Sequence, residues 1–439
     1  MRPLFEIEKT SINIDWKVLK IKRVLDIPIT DGPHETPELL DEGIPFLSAE
    51  SVKKGKLDFN LKRGYISRED HKKYIKKCKP QRDDIFMIKS GATTGNVAMV
   101  ETDEEFSIWS PLALIRADKE KIIPKYLYYF IGSSAFREQV EISWSFGTQQ
   151  NIGMKVIENL FLSVPSLHFQ EKLVQYMESK VVQIDKLIEM KGEIIHLLEQ
   201  QRQSIITESV TKGLNPDVKM KDSGVEWIGE IPEHWEVKRL KNVLALNPSK
   251  NEVDALKGLG VTFLPMENIL APNEVNISIT KNIEEVYSGY TYFKNNDLVV
   301  AKVTPCFENG NIAVMQNLKN SIGFGTTELH VLRAKPKQNI YFYFYLAQSA
   351  PFKQEGVSTM YGVGGLKRIP SEFILNYKFA MPSVSEQNEI VEFLNEKCTE
   401  LECIKKLING QIEKLKEYRQ SLIYEAVTGK IDVRDMELD

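Results

Sequence analysis

The sequence predicts a duplicated protein: two α/β (α+β) globules, 1–163 and 215–380, each followed by a long amphipathic helical region, 164–214 and 381–439. The two helices are expected to pack as an antiparallel coiled coil inside one chain, giving an internal pseudo-two-fold repeat. Three observations carry this. Residues 165–211 and 382–428 align at a constant offset of 217 and share 14 identities over 47 positions, where chance alone gives about three. Each copy repeats apolar residues at spacings of three and four. Finally, the short motifs of the first globule recur in the same order in the second.

The helices come first because the rest is arranged around them. The first copy runs from PSLHFQEKLVQYMESK to RQSIITESVT, with a seam of Val174, Met177, Val181, Ile184, Ile188, Ile195, Leu198 and Ile205. The second runs from PSVSEQNEIVEFLNEK to RQSLIYEAVT, with Val391, Leu394, Cys398, Leu401, Ile408, Ile412, Leu415 and Leu422. Such a stripe is a heptad seam that no single helix buries by itself. Ordinary bundle helices give the same periodicity; the duplication favours mutual packing. At ~1.5 Å per residue a 45-residue helix spans about 65 Å, so head-to-tail packing places the globules at opposite ends. Lys191 and Lys405 interrupt the seam, as does the same arginine in both copies, Arg202 and Arg419. A seam arginine is unfavourable unless paired or turned to the surface, so a structural or subunit-docking role is expected for this pair.

The first globule opens on Trp16, continues through IPFLSAESV (44–52), and reaches strand DIFMIK (84–89), loop SGATTGN (90–96) and strand VAMV (97–100). KYLYYFIGSSAFREQV (125–140) reads as one amphipathic helix, followed by polar SWSFGTQQNIG (143–153) and strand NLFLSVP (159–165). Gly213 ends the first long helix, and a turn-rich linker follows. The second globule answers with Trp235, VTFLPMENI (261–269), strand DLVVAK (297–302), GNIAVM (310–315), helix YFYFYLAQSAPFKQEG (341–356), MYGVGGLKRIP (360–370) and strand NYKFAMP (376–382). Ser383 and Glu386 form a capping box at the start of the second long helix.

Composition is that of a globular protein, and no apolar run approaches the roughly 18 residues of a membrane span. The beginning of the chain lacks the apolar centre of a signal peptide. The four cysteines show no metal-ligand spacing, consistent with reduced thiols in a cytoplasm. The net charge is −4. Yet residues 53–79 hold 11 basic and 3 acidic residues, with Tyr65 and Tyr74 among them. This block suits either a phosphate backbone or a solvated surface.

No constellation for covalent chemistry stands out. GATTGN (91–96) lacks the ending of a phosphate loop and reads as a hairpin turn. LNPSK (246–250) lacks the second proline and the aromatic of the amino-methyltransferase tetrapeptide, and is also a turn. The six histidines are scattered, and Glu189 and Lys191 lie within the heptad helix. What the pattern suits is reading two short sites at a fixed separation, as a symmetric dimer reads two half-sites on duplex DNA.

With paired P-S-x3-Q … R-Q-S-[IL]-I-x-E-x-V-T segments, the entry SGVEWIGEIPEHWEVKRLK (223–241) and two D-[IL]…G-N-[VI]-A blocks, the whole chain resembles the specificity subunits of type I restriction–modification systems. The resemblance implies two target recognition domains, 1–163 and 215–380, each reading one half of an asymmetric bipartite site on double-stranded DNA. The central helical region 164–214 and the C-terminal one 381–439 would dock two modification (methyltransferase) subunits, and restriction (translocase–nuclease) subunits would join them. On that pattern this chain is not itself an enzyme and binds no cofactor; S-adenosylmethionine, ATP and Mg belong to the partners. Expected DNA contacts in the first domain are Lys89, Ser90, Thr93, Thr94 and Asn96, then Thr148, Gln149, Gln150 and Asn151, with Lys72, Lys73, Lys76 and Lys77 for phosphate. In the second they are Lys302, Thr304, Glu308, Asn309 and Asn311, then Tyr361, Lys367 and Arg368. Coiled-coil and docking positions are Val181, Ile184, Ile188, Ile195, Leu198, Arg202, Leu401, Ile408, Ile412, Leu415 and Arg419. The competing reading is a coiled-coil scaffold that binds proteins without reading DNA sequence.

Overall fold

The computed structural model describes residues 15–53, 55–143, 151–226, 228–256, 258–362 and 365–434. The chain divides into two units, Met1–Lys191 with Gly410–Asp439, and Gly192–Asn409. Each unit therefore owns one globule, the first half of the long helix that follows it, and the second half of the other long helix.

In unit 1 the strands are β1 (Lys17–Lys20), β2 (Thr30–Asp31), β3 (Ile44–Leu47), β4 (Gly64–Ile66), β5 (Ile85–Ile88), β6 (Val97–Met99), β7 (Ser107–Ile108), β8 (Leu112–Ile115) and β9 (Phe161–Val164). The helices are α1 (Arg68–Tyr74), α2 (Pro124–Ile131), α3 (Ser134–Ser143), α4 (Met154–Asn159) and the long α5 (Leu167–Lys212). The main sheet has the order β2-β8-β5-β6, antiparallel throughout. A smaller sheet, β4-β3-β7, pairs β3 with β7 in parallel. β1 and β9 form a ribbon, Lys17 opposite Val164, that leads into α5.

Unit 2 repeats this plan with β10 (Glu236–Arg239), β11 (Leu244–Leu246), β12 (Gly260–Leu264), β13 (Thr280–Asn282), α6 (Ile283–Val286), β14 (Thr291–Lys294), β15 (Asp297–Ala301), β16 (Ile312–Val314), β17 (Ile322–Gly325) and β18 (Leu329–Ala334). Then come α7 (Ile340–Gln348), α8 (Ala350–Ser358), α9 (Ser371–Asn376), β19 (Lys378–Met381) and the second long helix, α10 (Val384–Val427). Its main sheet is β11-β18-β15-β16, its second sheet β13-β12-β17-β14, and its ribbon β10-β19. In both main sheets the central strand is buried on its two faces, Ile85–Ile88 and Asp297–Ala301, so it reads as a continuous apolar run.

The same charged pair supports each main sheet. Asp84, just before β5, and Asp297, the first residue of β15, are both buried and accept two bonds each, from Arg116 just past β8 and from Arg333 on β18. A buried carboxylate needs such a partner; the bidentate fork supplies it twice.

The single helix expected over 125–140 is two helices, α2 and α3, and that over 341–356 is α7 and α8. A serine breaks each. Ser133 Oγ donates to the Phe130 carbonyl at 2.6 Å, and Ser349 Oγ to that of Leu346 at 2.7 Å. Such local bonds compete with the helical ladder, and Pro351 starts α8 in the first turn, where its missing N–H is harmless.

The paired helical segments earn their repeated glutamine by clamping helix to globule. Gln170, fully buried, accepts from Ile123 N at 2.8 Å and donates to the Pro165 carbonyl at 2.9 Å. Gln387 does the same with Asn339 N at 3.1 Å and the Pro382 carbonyl at 3.3 Å. Ile123 and Asn339 are the residues that cap α2 and α7, so each clamp ties the start of a long helix to the start of a globule helix. The expected capping box is present, with Ser383 N and Oγ bonded to Glu386. Gly213 ends α5 at φ +76°, where an added Cβ would stand 3.1 Å from Trp235.

Within each unit the long helices pack antiparallel. In unit 1 Asp185 meets Arg419 at 2.9 Å and Lys191 meets Gln411 at 2.6 Å; in unit 2 Glu199 meets Lys405 at 3.6 Å. Val181, Ile184 and Leu401 are buried. Ile188, Ile195, Leu198, Ile408, Ile412 and Leu415 are half-buried, as are Arg202 and Arg419, because two helices alone cannot cover each other fully. The two arginines are used differently. Arg202 bonds the Gln348 side chain at 2.5 Å and Glu199 at 3.2 Å, and Gln203 bonds the Gln348 carbonyl. Gly132 stands in α2's register where Gln348 stands in α7's, so Arg419 turns to Asp185 instead.

Candidate nucleic-acid interface

Each main sheet ends in a junction of three loops, and both junctions use the same backbone bonds. In unit 1 the β5–β6 hairpin starts at Lys89, whose N–H bonds the Pro111 carbonyl at 2.8 Å. Its own carbonyl accepts from Ile152 N at 2.9 Å, and Ser90 pairs with Asn151 as an isolated bridge. In unit 2 Lys302 N bonds the Glu328 carbonyl at 3.0 Å, and its carbonyl accepts from Ile369 N at 2.9 Å. The segments singled out from sequence, 89–96 with 151 and 302–311 with 361–368, are thus brought together in each globule. Residues at such junctions are free to differ in side chain, because the bonds that build them are main-chain.

The side chains do differ. In unit 1 Gly91 and Gly95 take φ of +102° and +91°, which lets the hairpin turn tightly. Thr93 and Asn96 are exposed, Ser90 and Thr94 half-buried, and Thr94 Oγ1 donates to the Gly91 carbonyl at 2.6 Å. Asn151 is exposed. Thr148, Gln149 and Gln150 lie outside the described residues. Lys89 points inward, only 12 % exposed, to Asp31. Lys77 reaches the other oxygen of that buried carboxylate. Burial alone would raise the Asp31 pKa, but the two lysine hydrogen bonds outweigh it and hold it below the usual carboxylate range.

The basic block 53–79 is partly spent inside the fold. Lys73 pairs with Glu35, Arg68 with Glu105, and the Arg63 guanidinium stacks 3.7 Å over Trp109. Tyr74 is a core residue against Phe46, while Tyr65 lies under Lys62. Lys72 and Lys76 are exposed and have no side-chain partner among the described residues.

In unit 2 Thr304 Oγ1 donates to the Gly365 carbonyl at 2.7 Å and accepts from Lys367 N at 3.0 Å. Arg368 forks onto Glu328 at 2.8 and 2.9 Å; that hydrogen bond holds the Glu328 carboxyl below its ordinary range. Glu308 and Asn309 are exposed, and Tyr361 is 63 % exposed. Asn311 faces inward to the Ile269 carbonyl at 2.7 Å. Sequence reasoning missed Asp31, Glu328 and His330, whose Nε2 lies 3.1 Å from the Ile369 carbonyl; nothing in local spacing marks these long-range partners.

Among the described residues no cluster of three or more His, Cys, Asp or Glu side chains could hold a metal ion, and no helix is long and apolar enough to cross a membrane.

Comparison with known proteins agrees with this duplicated layout. A family model for the type I restriction modification DNA specificity domain matches twice, at residues 13–200 and 232–414. The EcoAI specificity subunit of Escherichia coli is 32% identical over 219 residues, 49% of this chain but only 36% of that protein. The MjaVIII specificity subunit of Methanocaldococcus jannaschii is 25% identical over 430 residues, covering 96% of this chain and 94% of its own length. Among solved structures, a chain from a study of assembly and conformational transition in the type I R-M system aligns with TM-score 0.69 at 14% identity, over 96% of this chain and all of the other. The HsdS subunit of Thermoanaerobacter tengcongensis aligns with TM-score 0.50 at 16% identity, over 97% and 99%. With its family model matched twice over most of its length, the chain belongs to the type I restriction–modification DNA specificity family.

Proposed function

We propose that this chain reads DNA sequence for a type I restriction–modification enzyme. Each globule reads one half of an asymmetric, interrupted site on double-stranded DNA. Two modification subunits dock along the helical regions 164–214 and 381–439 and transfer the methyl group; restriction subunits join that complex. S-adenosylmethionine, ATP and Mg belong to those partners, and this subunit performs no catalysis.

The observation that carries the reading is the three-loop junction built twice on the same main-chain bonds but dressed with different polar side chains. One scaffold with two chemistries gives two different half-sites. Thr93, Asn96 and Asn151 in unit 1, and Glu308 and Asn309 in unit 2, supply hydroxyl, amide and carboxylate groups suited to base edges, while Thr304 spends its hydroxyl inside the loop. Lys72 and Lys76, with Lys367, supply charge for phosphate, which fixes register without reading sequence. Lys89, Lys77 and Arg368 act mainly by holding the loops.

The test is selection from a randomised duplex library by the chain co-purified with its modification subunits. Recovery of one motif with two unlike halves around an unread gap supports the function. Retention of the modification subunits without any sequence selection would instead favour a protein scaffold.

A further inference from the structure

Unit 2 holds two large apolar side chains out in solvent beside its loop junction. Tyr361 is 63 % and Leu366 54 % exposed. Exposed apolar residues scattered singly need no explanation, but the described residues around these two are fastened at many points. Tyr361 and Arg368 exchange backbone bonds at 3.2 and 2.9 Å. Thr304 bonds both Gly365 and Lys367, Glu328 grips Arg368 with two bonds, and His330 reaches the Ile369 carbonyl. Gly362 has φ +144°, and a Cβ there would stand 2.2 Å from the Leu366 carbonyl oxygen. Gly362 thus lies close against the Leu366 backbone, and both side chains stand exposed beside it.

Their surroundings are cationic and polar rather than apolar: Lys367 follows Leu366, and Lys302 lies across the junction. Such a setting matches a duplex, which offers phosphate charge and, in the major groove, one apolar feature, the thymine methyl. In unit 1 the matching position is Asn151, which precedes Ile152 as Arg368 precedes Ile369.

Resting on the DNA-reading function proposed above, we infer that Tyr361 and Leu366 form an apolar tip that reads thymine methyl groups in one half-site, with Arg368, Glu328, Thr304 and His330 as positioning residues. Arg368 spends Nε and one Nη on Glu328, so it serves the loop and not a phosphate.

The test uses the full chain in complex with its modification subunits and the duplex selected from the library. Each thymine is replaced in turn by uracil, which deletes only the methyl group. In the half read by unit 2, wild type loses about tenfold in affinity at one or two positions. Leu366→Ala and Tyr361→Ala bind the thymine and uracil duplexes equally. Arg368→Ala weakens binding yet leaves the slope of log K against log salt unchanged, and Arg368→Lys restores part of the affinity. Full discrimination against uracil retained in both apolar variants, or a salt slope reduced by about one in Arg368→Ala, would overturn the inference while leaving the broader function standing. Failure of the library to yield any motif would overturn both.

Discussion

Replacing Gln170 by alanine removes the clamp between α5 and the first globule, and the structure sets the size of the loss. Two good bonds disappear, from Ile123 N at 2.8 Å and to the Pro165 carbonyl at 2.9 Å, at a fully buried site that water does not reach. A typical bond contributes about 1 kcal/mol net, but a buried group left unpaired costs about 1–3 kcal/mol. The expected destabilisation is therefore about 2–4 kcal/mol. For a unit of ~220 residues this lowers the melting temperature by roughly 4–16 °C. Gln387→Ala removes longer bonds, 3.1 and 3.3 Å, and should cost somewhat less. Gln170→Glu is the sharper probe: it can still accept from Ile123 N but cannot donate to Pro165, and it buries a carboxylate beside a carbonyl. Differential scanning calorimetry of the purified chain reads all three. A shift below 1 °C in Gln170→Ala would show that the glutamine does not clamp the helix, and the account of the paired motifs would fail.

Other outcomes follow from single contacts. Glu386 is partly desolvated, which raises its pKa, yet bonds from Trp235, His234 and Ser383 outweigh this and bring it to about 2. A carboxylate depressed on folding stabilises above its unfolded value near 4.3 and loses that contribution as pH falls toward 2. Urea unfolding should therefore show Glu386→Gln weakening the protein at pH 6 but narrowing its gap to wild type at pH 3. Arg202→Ala, which strands Gln348, should destabilise by about 1–3 kcal/mol, whereas Arg419→Ala, which removes a pair with the exposed Asp185, should cost under about 1 kcal/mol; equal losses by urea titration would contradict the asymmetry. Lys72→Ala with Lys76→Ala should leave melting unchanged and reduce the salt slope of DNA binding by up to about two. Lys89→Ala should do the reverse, because it uncovers the buried Asp31.

What was legible in the sequence follows from the range of the interactions concerned. The heptad seam is written locally, and Val181, Ile184 and Leu401 are buried where spacing placed them. The hairpin over 91–96 is marked by its glycines, and the junction segments by their matching order in two copies. The breaks at Ser133 and Ser349 were hidden because the apolar pattern continues through them. Long-range pairing was also hidden: Asp31 lies 58 positions from Lys89, and Glu328 40 from Arg368. Lysine and arginine near a recognition loop therefore look like DNA contacts until their internal carboxylates are seen. The different fates of Arg202 and Arg419 turn on Gln348 and Gly132, residues that no pattern within the helices reveals.

The central claim is that two unlike readers built on one scaffold act together on one piece of DNA. Mapping methylated bases across the genome of a host that expresses this chain with its modification subunits tests it most directly. The account predicts a single asymmetric motif split by an unread gap, in which Thr93→Ala with Asn96→Ala relaxes one half and Leu366→Ala relaxes only the other. A continuous motif, or one in which either set of substitutions degrades both halves alike, would contradict it.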